Sequence, residues 1–109
     1  MALLRGRRQN AEPPADSGVP AHTPIAEAVA RRPVRVVGSV VRMRARPTSG
    51  QPSLAVTVSD DTGSVVAVWT GRRAIGGITL GRRVVLDGVP RTVGDRLEFV
   101  NPAYTLLAP

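Results

Sequence analysis

The sequence predicts an all-β domain, arranged as a small closed barrel of five strands with a short helix before the first strand. Valine supplies 17 of the 109 residues and aromatic residues only 3%, and β-branched side chains favour strands. Short apolar segments, some alternating with polar residues, are separated by turns rich in Gly, Asp and Pro. Five such segments with one longer break after the third suit a closed barrel, which leaves no strand edge exposed.

The character of the chain changes at residue 22. Residues 1–22 are rich in proline and polar residues and poor in large apolar side chains, so they are predicted to form a disordered, mildly basic arm. The folded domain is predicted to span residues 23–109. At its start, Thr23 as N-cap, Pro24 at the first helical position and Glu27 in the first turn predict a short helix. Pro33 would end this helix near residue 30.

Each strand is predicted from a local pattern. The first strand is long, and Gly38 marks a bulge or a sharp bend within it. The second strand alternates most clearly, with Leu54, Val56 and Val58 on one face, and the turn 60–63 joins it to the third. The five strands are predicted over residues 34–46, 54–59, 64–69, 84–89 and 96–100, and a short apolar segment over 104–107 closes the domain.

The composition excludes several kinds of chemistry. The chain has no cysteine, so it forms no disulfide, thiolate nucleophile or iron–sulfur site. All 15 basic residues are arginine, which excludes a lysine-dependent phosphate loop or a Schiff base. A single histidine, His22, cannot supply a histidine metal site, and Asp61-Thr62-Gly63 is ordinary turn chemistry rather than the signature of an aspartic protease. We therefore expect no catalytic activity, no cofactor and no metal.

The sequence also carries an expectation about location. No apolar run approaches the length of a membrane span, and the basic N-terminus lacks the apolar segment of a signal peptide. The arginine bias, together with abundant Ala, Gly, Pro and Val, is typical of a GC-rich bacterial genome. A cytoplasmic bacterial protein with no membrane association is the expectation.

The order of these segments resembles the OB-fold, a five-stranded Greek-key barrel. The first strand with its internal Gly38, the hairpin over residues 56–63 and the C-terminal part over 81–107 carry this resemblance. In the C-terminal part, Gly94-Asp95-Arg96-Leu97 and Asn101-Pro102-x-Tyr104 are similar to the end of the OB-type wedge domain of the RecG helicase, and related tRNA-anticodon-type OB domains also resemble the chain. The helicase motor is absent, so the resemblance implies a small stand-alone OB protein that binds single-stranded or branched nucleic acid.

The resemblance also implies where a partner would bind. OB-folds bind across their second and third strands, where Ala55 and Thr57 lie on the face opposite the apolar residues of the second strand. If Val66 and Val68 of the third strand point inward, Ala67 and Trp69 point outward. Trp69 is then a candidate for stacking on a base, and the alternative is that this indole caps the core.

Arginines supply the second signal. Arg42, Arg44 and Arg46 recur at every second residue and therefore share one face of the first strand. The net charge of +7 favours a polyanion, and the arginine side chain suits phosphate contacts. We predict a sequence-nonspecific nucleic-acid site, DNA or RNA, whose members are Arg42, Arg44, Arg46, Ala55, Thr57, Ala67, Trp69, Arg72, Arg73, Arg91 and Arg96.

One alternative stays open. OB barrels also bind proteins, so a basic barrel of this kind could dock an acidic protein partner or act as an accessory subunit. Arginines that converge around the outer face of the second and third strands would favour nucleic acid, whereas a contiguous apolar patch would favour a protein.

Overall fold

The computed structural model describes residues 19–48 and 50–108, in which seven β-strands and one 3₁₀ turn account for the regular structure. Residues 1–18 of the predicted N-terminal arm lie outside this range. The strands are β1 Val34–Thr48, β2 Gln51–Ser59, β3 Ser64–Thr70, β4 Arg83–Gly88, β5 Arg91–Val93, β6 Arg96–Val100 and β7 Ala103–Leu106.

The seven strands form one sheet in the order β5-β6-β3-β2-β1-β4-β7. The long strand β1 is shared between two neighbours, because residues 34–39 pair with β4 and residues 39–48 pair with β2. All pairings are antiparallel except that of β3 with β6. Only Val89 and Pro90 separate β4 from β5. The chain therefore directly links β5, at one end of the sheet, to β4, near the other end.

The all-β class is confirmed, but a closed barrel of five strands is wrong. Within the described residues, no hydrogen-bonded ladder joins β5 back to β4. The predicted fourth strand, 84–89, ends at Gly88, and β5 is an additional short strand beyond Pro90, where no strand is predicted from the sequence. Proline has no N–H to donate to a ladder. The predicted closing segment is itself a strand, β7, which pairs with β4 at the edge of the sheet.

The predicted N-terminal helix is also wrong, because only the 3₁₀ turn Ile25–Glu27 forms. A helix of so few residues does not recover its nucleation cost from its own hydrogen bonds. The turn is held by the β2–β3 loop instead. The backbone N–H of Ile25 donates to the Asp60 carboxylate over 2.9 Å, and that of Ala26 donates to the Thr62 hydroxyl over 3.0 Å.

The core lies on one face of the sheet, the inner face, and is mainly aliphatic, as the composition predicts. Alternate residues of β1, β2, β3 and β4 enter it, together with Ile25, Ile75, Ile78 and Phe99. Gly38 lies where β1 passes from β4 to β2, and a Cβ at this position would come within 2.6 Å of the Ser59 carbonyl oxygen. Glycine is therefore required for this close approach.

Candidate nucleic-acid interface

A groove on the outer face of β1, β2, β3 and β6 contains most of the arginines that the sequence singles out. We call it the arginine groove; its volume is about 330 Å³ and its lining is Arg42, Arg44, Arg46, Ala55, Thr57, Val66, Val93, Arg96 and Glu98. Four of these nine residues are arginines and one is a carboxylate. Small side chains form the floor between them, so a flat group can approach the sheet closely.

A β-bulge in β1 turns the arginines toward this groove. Val36 and Val40 point into the core, and unbroken alternation would place Arg42 and Arg44 on that same inner face. The register with β2 shifts between Val40 and Arg42, so Val41 is the extra residue and the parity reverses beyond it. Arg42, Arg44 and Arg46 therefore stand on the outer face, about 7 Å apart from one to the next.

Glu98 joins the two walls of the groove. Its side chain is only 8% exposed, and it accepts a hydrogen bond from Arg91 over 3.2 Å and one from Arg46 over 3.5 Å. Arg42, Arg44 and Arg96 form no ion pair with any residue that the structure describes. Their charges are therefore available to an anion in the groove.

A second, larger depression continues the arginine groove toward the 3₁₀ turn. Its volume is about 690 Å³, and it shares Arg42, Thr57, Val66 and Arg96 with the arginine groove. Beyond these shared residues it passes along Ser64 and the turn. Because they share these four residues, the two depressions adjoin each other.

The structure brings most of the predicted site residues together. Six of them line the arginine groove: Arg42, Arg44, Arg46, Ala55, Thr57 and Arg96. Arg91 lies beside the groove and is held there by Glu98. Arg73 lines a neighbouring cavity together with Arg46, and Arg72 is exposed directly after β3.

The outward orientation predicted for Ala67 and Trp69 is wrong. Both residues are buried members of the core, with exposures of 0% and 6%. The Trp69 indole Nε1 donates to the Pro102 carbonyl oxygen over 3.2 Å, and the ring meets Tyr104 edge to face at 5.6 Å. Of the two alternatives for Trp69, the structure shows the indole in the core, so no tryptophan lines the arginine groove.

The reason is the register of the β2–β3 hairpin. Ser59 pairs with Ser64 across the turn, so Val58, Val56 and Leu54 lie beside Val65, Ala67 and Trp69. Directly paired residues of neighbouring strands point to the same face. Because β3 is apolar almost throughout, its own sequence does not show which of its residues face the core. The β2–β3 turn does show it, because the turn sets which residues of β3 pair with the core residues of β2.

Sequence reasoning missed three residues of the groove, namely Val66, Val93 and Glu98. Val66 takes the place on the floor that Ala67 was predicted to occupy. Glu98 stands between Leu97 and Phe99 in a strand whose other charged residue is Arg96, and a carboxylate that is buried in such a strand is almost always paired.

Two kinds of site find no support in the described residues. None of the groups of His, Asp and Glu side chains there could hold a metal ion. No helix in that part of the chain is long and apolar enough to cross a membrane.

The sequence matches no protein-family model, and a search of curated proteins finds no match. The structure, however, is similar to the solution NMR structure of a replication factor A related protein from Methanobacterium thermoautotrophicum. The TM-score is 0.64 at 19% sequence identity, and the match covers 80% of this chain and 91% of that chain. This likeness concerns the fold alone and, with the strand order, shows an OB-like fold. It does not support the narrower resemblance to the RecG wedge domain or to tRNA-anticodon-type domains.

Proposed function

We propose that this protein is a non-enzymatic module that binds single-stranded nucleic acid in the arginine groove, with the sugar–phosphate backbone held by arginines. The observation that carries this proposal is the convergence of four arginines on one shallow groove across the outer face of β1, β2, β3 and β6. Three of them have no ion-pair partner in the described part of the chain. The similar fold of a replication factor A related protein agrees with such a role.

The shape of the site favours a single strand. The floor is made of Ala55, Thr57 and Val66, which leaves room for bases to lie against the sheet. The aromatic residues of the described chain are directed to the core, so arginine side chains are the groups available for stacking on bases. Affinity would then come mainly from phosphate contacts, and it would depend strongly on salt.

The test compares two double variants that lose the same charge. Arg42→Gln/Arg44→Gln removes two unpaired arginines from the arginine groove, whereas Arg32→Gln/Arg83→Gln removes two exposed arginines that do not line it. Fluorescence anisotropy with labelled single-stranded DNA, single-stranded RNA, duplex and forked DNA measures the affinities. We expect the groove variant to weaken single-strand binding by on the order of tenfold or more, and the control by much less.

The outcomes separate the proposal from its alternatives. Equal losses in the two variants would show that net charge alone attracts the strand, and the groove would not be the site. If no nucleic acid binds at low salt, the proposal is overturned, and a protein partner of acidic character becomes the function to examine.

A further inference from the structure

Glu98 is an unusual residue for a surface that binds a polyanion. It is the one carboxylate in the described lining of the arginine groove, and its side chain is more than nine-tenths buried. Burial of a charged carboxylate costs free energy unless hydrogen-bond donors replace the lost water. Its position in the middle of β6, paired with Val66 of β3, places it at the floor of the groove rather than at the rim.

The two arginine partners leave part of this carboxylate unused. Arg91 donates to Oε1 and Arg46 donates to Oε2, whereas an ionised carboxylate offers about four acceptor positions. The side chain lines the groove, so a bound molecule can reach the remaining positions. A donor on that molecule would replace water that the carboxylate has lost.

Charge decides which part of a nucleic acid meets Glu98. A phosphate beside this carboxylate would be repelled, and the repulsion is strong where water is partly excluded. Arg42 and Arg44, in contrast, stand unpaired along the β1 side, and Arg96 stands unpaired at the start of β6. A base rather than a phosphate of a bound nucleic acid therefore meets Glu98, and the neighbouring phosphates lie against the unpaired arginines.

We propose that Glu98 selects the base at one position of the strand by accepting a hydrogen bond from the exocyclic amino group of that base, so that cytosine is preferred to thymine or uracil. This inference rests on the proposed function and adds a base preference to a site that the sequence predicts to be nonspecific. Cytosine carries an amino donor where thymine carries a carbonyl oxygen. With thymine, a carbonyl oxygen would face the carboxylate oxygen, so two hydrogen-bond acceptors would meet without a proton between them.

The first test uses the unaltered protein, so its result does not depend on whether a variant folds. Binding of oligodeoxycytidylate is compared with binding of oligodeoxythymidylate of equal length, which carries the same number of phosphates. We expect the cytosine strand to bind on the order of tenfold more tightly. A cytosine strand whose exocyclic amino groups are dimethylated keeps its phosphates and loses the donors, and we expect it to bind like the thymine strand.

The second test changes the acceptor. Glu98→Gln removes the charge, and Asp61→Asn removes the same charge from an exposed residue that lines neither the arginine groove nor the adjoining depression. Both variants raise the net charge equally, so both are expected to bind each oligonucleotide somewhat more tightly. The ratio of the two affinities is expected to fall close to one in Glu98→Gln and to stay unchanged in Asp61→Asn.

The possible negative results distinguish a failure of the Glu98 contact from a failure of the proposed function. Equal affinities of the unaltered protein for cytosine, dimethylated cytosine and thymine strands would overturn the base contact and leave the proposed function intact. A preference that survives in Glu98→Gln would assign the selection to another residue and overturn the role of Glu98. If none of the strands binds, the proposed function and this inference are both overturned.

Discussion

Asp60 shows how much one side chain can organise in this fold. Its carboxylate accepts hydrogen bonds from the backbone N–H groups of Thr62, Gly63 and Ile25, and one from the Thr62 hydroxyl. It thus closes the β2–β3 turn and anchors the 3₁₀ turn at once. Partial burial raises the pKa of the Asp60 carboxyl, but these hydrogen bonds outweigh it and lower the pKa below the usual 3.8.

This pKa shift predicts how stability depends on pH. Because the folded protein holds the Asp60 proton less tightly than the unfolded chain, the ionised carboxylate stabilises the fold above pH 3.8, and this contribution is lost as the pH falls through the lowered folded pKa. Asp60→Asn replaces one acceptor oxygen by an amino group, which no longer accepts from the backbone. We expect it to lower the free energy of unfolding by about 1–2 kcal/mol at pH 7, and by less at pH 3.

Urea unfolding of both proteins at the two pH values measures this difference. The matched control is Asp61→Asn, an exposed neighbour, for which a change within about 0.5 kcal/mol is expected at either pH. A difference for Asp60→Asn that stays constant between pH 7 and pH 3 would contradict the role given to the ionised form.

Trp69 provides a second test at the residue scale. Since its indole is buried and donates a hydrogen bond to the Pro102 carbonyl oxygen, a nucleic-acid strand in the arginine groove does not reach it. We expect the tryptophan emission to stay unchanged on saturation with unlabelled oligonucleotide, while anisotropy of a labelled strand reports binding. Quenching that follows the binding curve would show that a base contacts the indole, contrary to the structure.

At the scale of elements, the bulge at Val41 determines which side of β1 is functional. It allows one strand to contribute valines to the core before the bulge and arginines to the outer face after it. The β2–β3 hairpin acts in a similar way, since its register places Val66 rather than Ala67 on the groove floor. In both cases a shift of one residue exchanges the two faces.

Deletion of Val41 tests the role of the bulge. Without the extra residue, continuous pairing with β2 would direct Arg42 and Arg44 into the core, where unpaired charges cost several kcal/mol each. We expect the deletion variant to lose cooperative thermal unfolding as followed by circular dichroism. Val41→Ser keeps the chain length and exchanges an exposed side chain, so a change of about 0.5 kcal/mol or less is expected. Folding of the deletion variant with the stability of the parent would contradict this reasoning.

At the scale of the whole molecule, charge and shape are combined on one side of the sheet. The arginine groove and the adjoining depression lie across β1, β2, β3 and β6, whereas β4 and β7 form the other end of the sheet. The net charge of +7 attracts any polyanion. The groove determines how many phosphates can be neutralised by arginine at the same time.

This number predicts the salt dependence of binding. If the three unpaired groove arginines, Arg42, Arg44 and Arg96, each neutralise one phosphate of a single strand, the logarithm of the binding constant falls with the logarithm of the salt concentration with a slope of about −2. Anisotropy titrations at several salt concentrations measure the slope. We expect it to become less steep, by about 1.4, in Arg42→Gln/Arg44→Gln. A slope near zero in the unaltered protein would show that phosphate contacts do not drive binding.

Much of the fold can be predicted from local pattern alone. Alternation over β2, the turn 60–63 and the valine content predict an all-β domain with strands close to those observed. Two features are harder to predict from the sequence. The separate strand β5 depends on how the chain bends at Pro90. The 3₁₀ turn depends on contacts with Asp60 and Thr62, more than thirty residues away.

The candidate site also combines features that local sequence predicts with features that only the tertiary structure decides. The sequence by itself determines that three arginines share one face of β1, because a strand repeats every two residues. Only the tertiary structure decides that this face is the outer one, since it depends on where the bulge is placed when β1 pairs with β2. Burial of Trp69 and the meeting of Glu98 with Arg46 likewise require strands distant in sequence to be aligned. Local periodicity defines faces, and long-range register decides which face meets the partner.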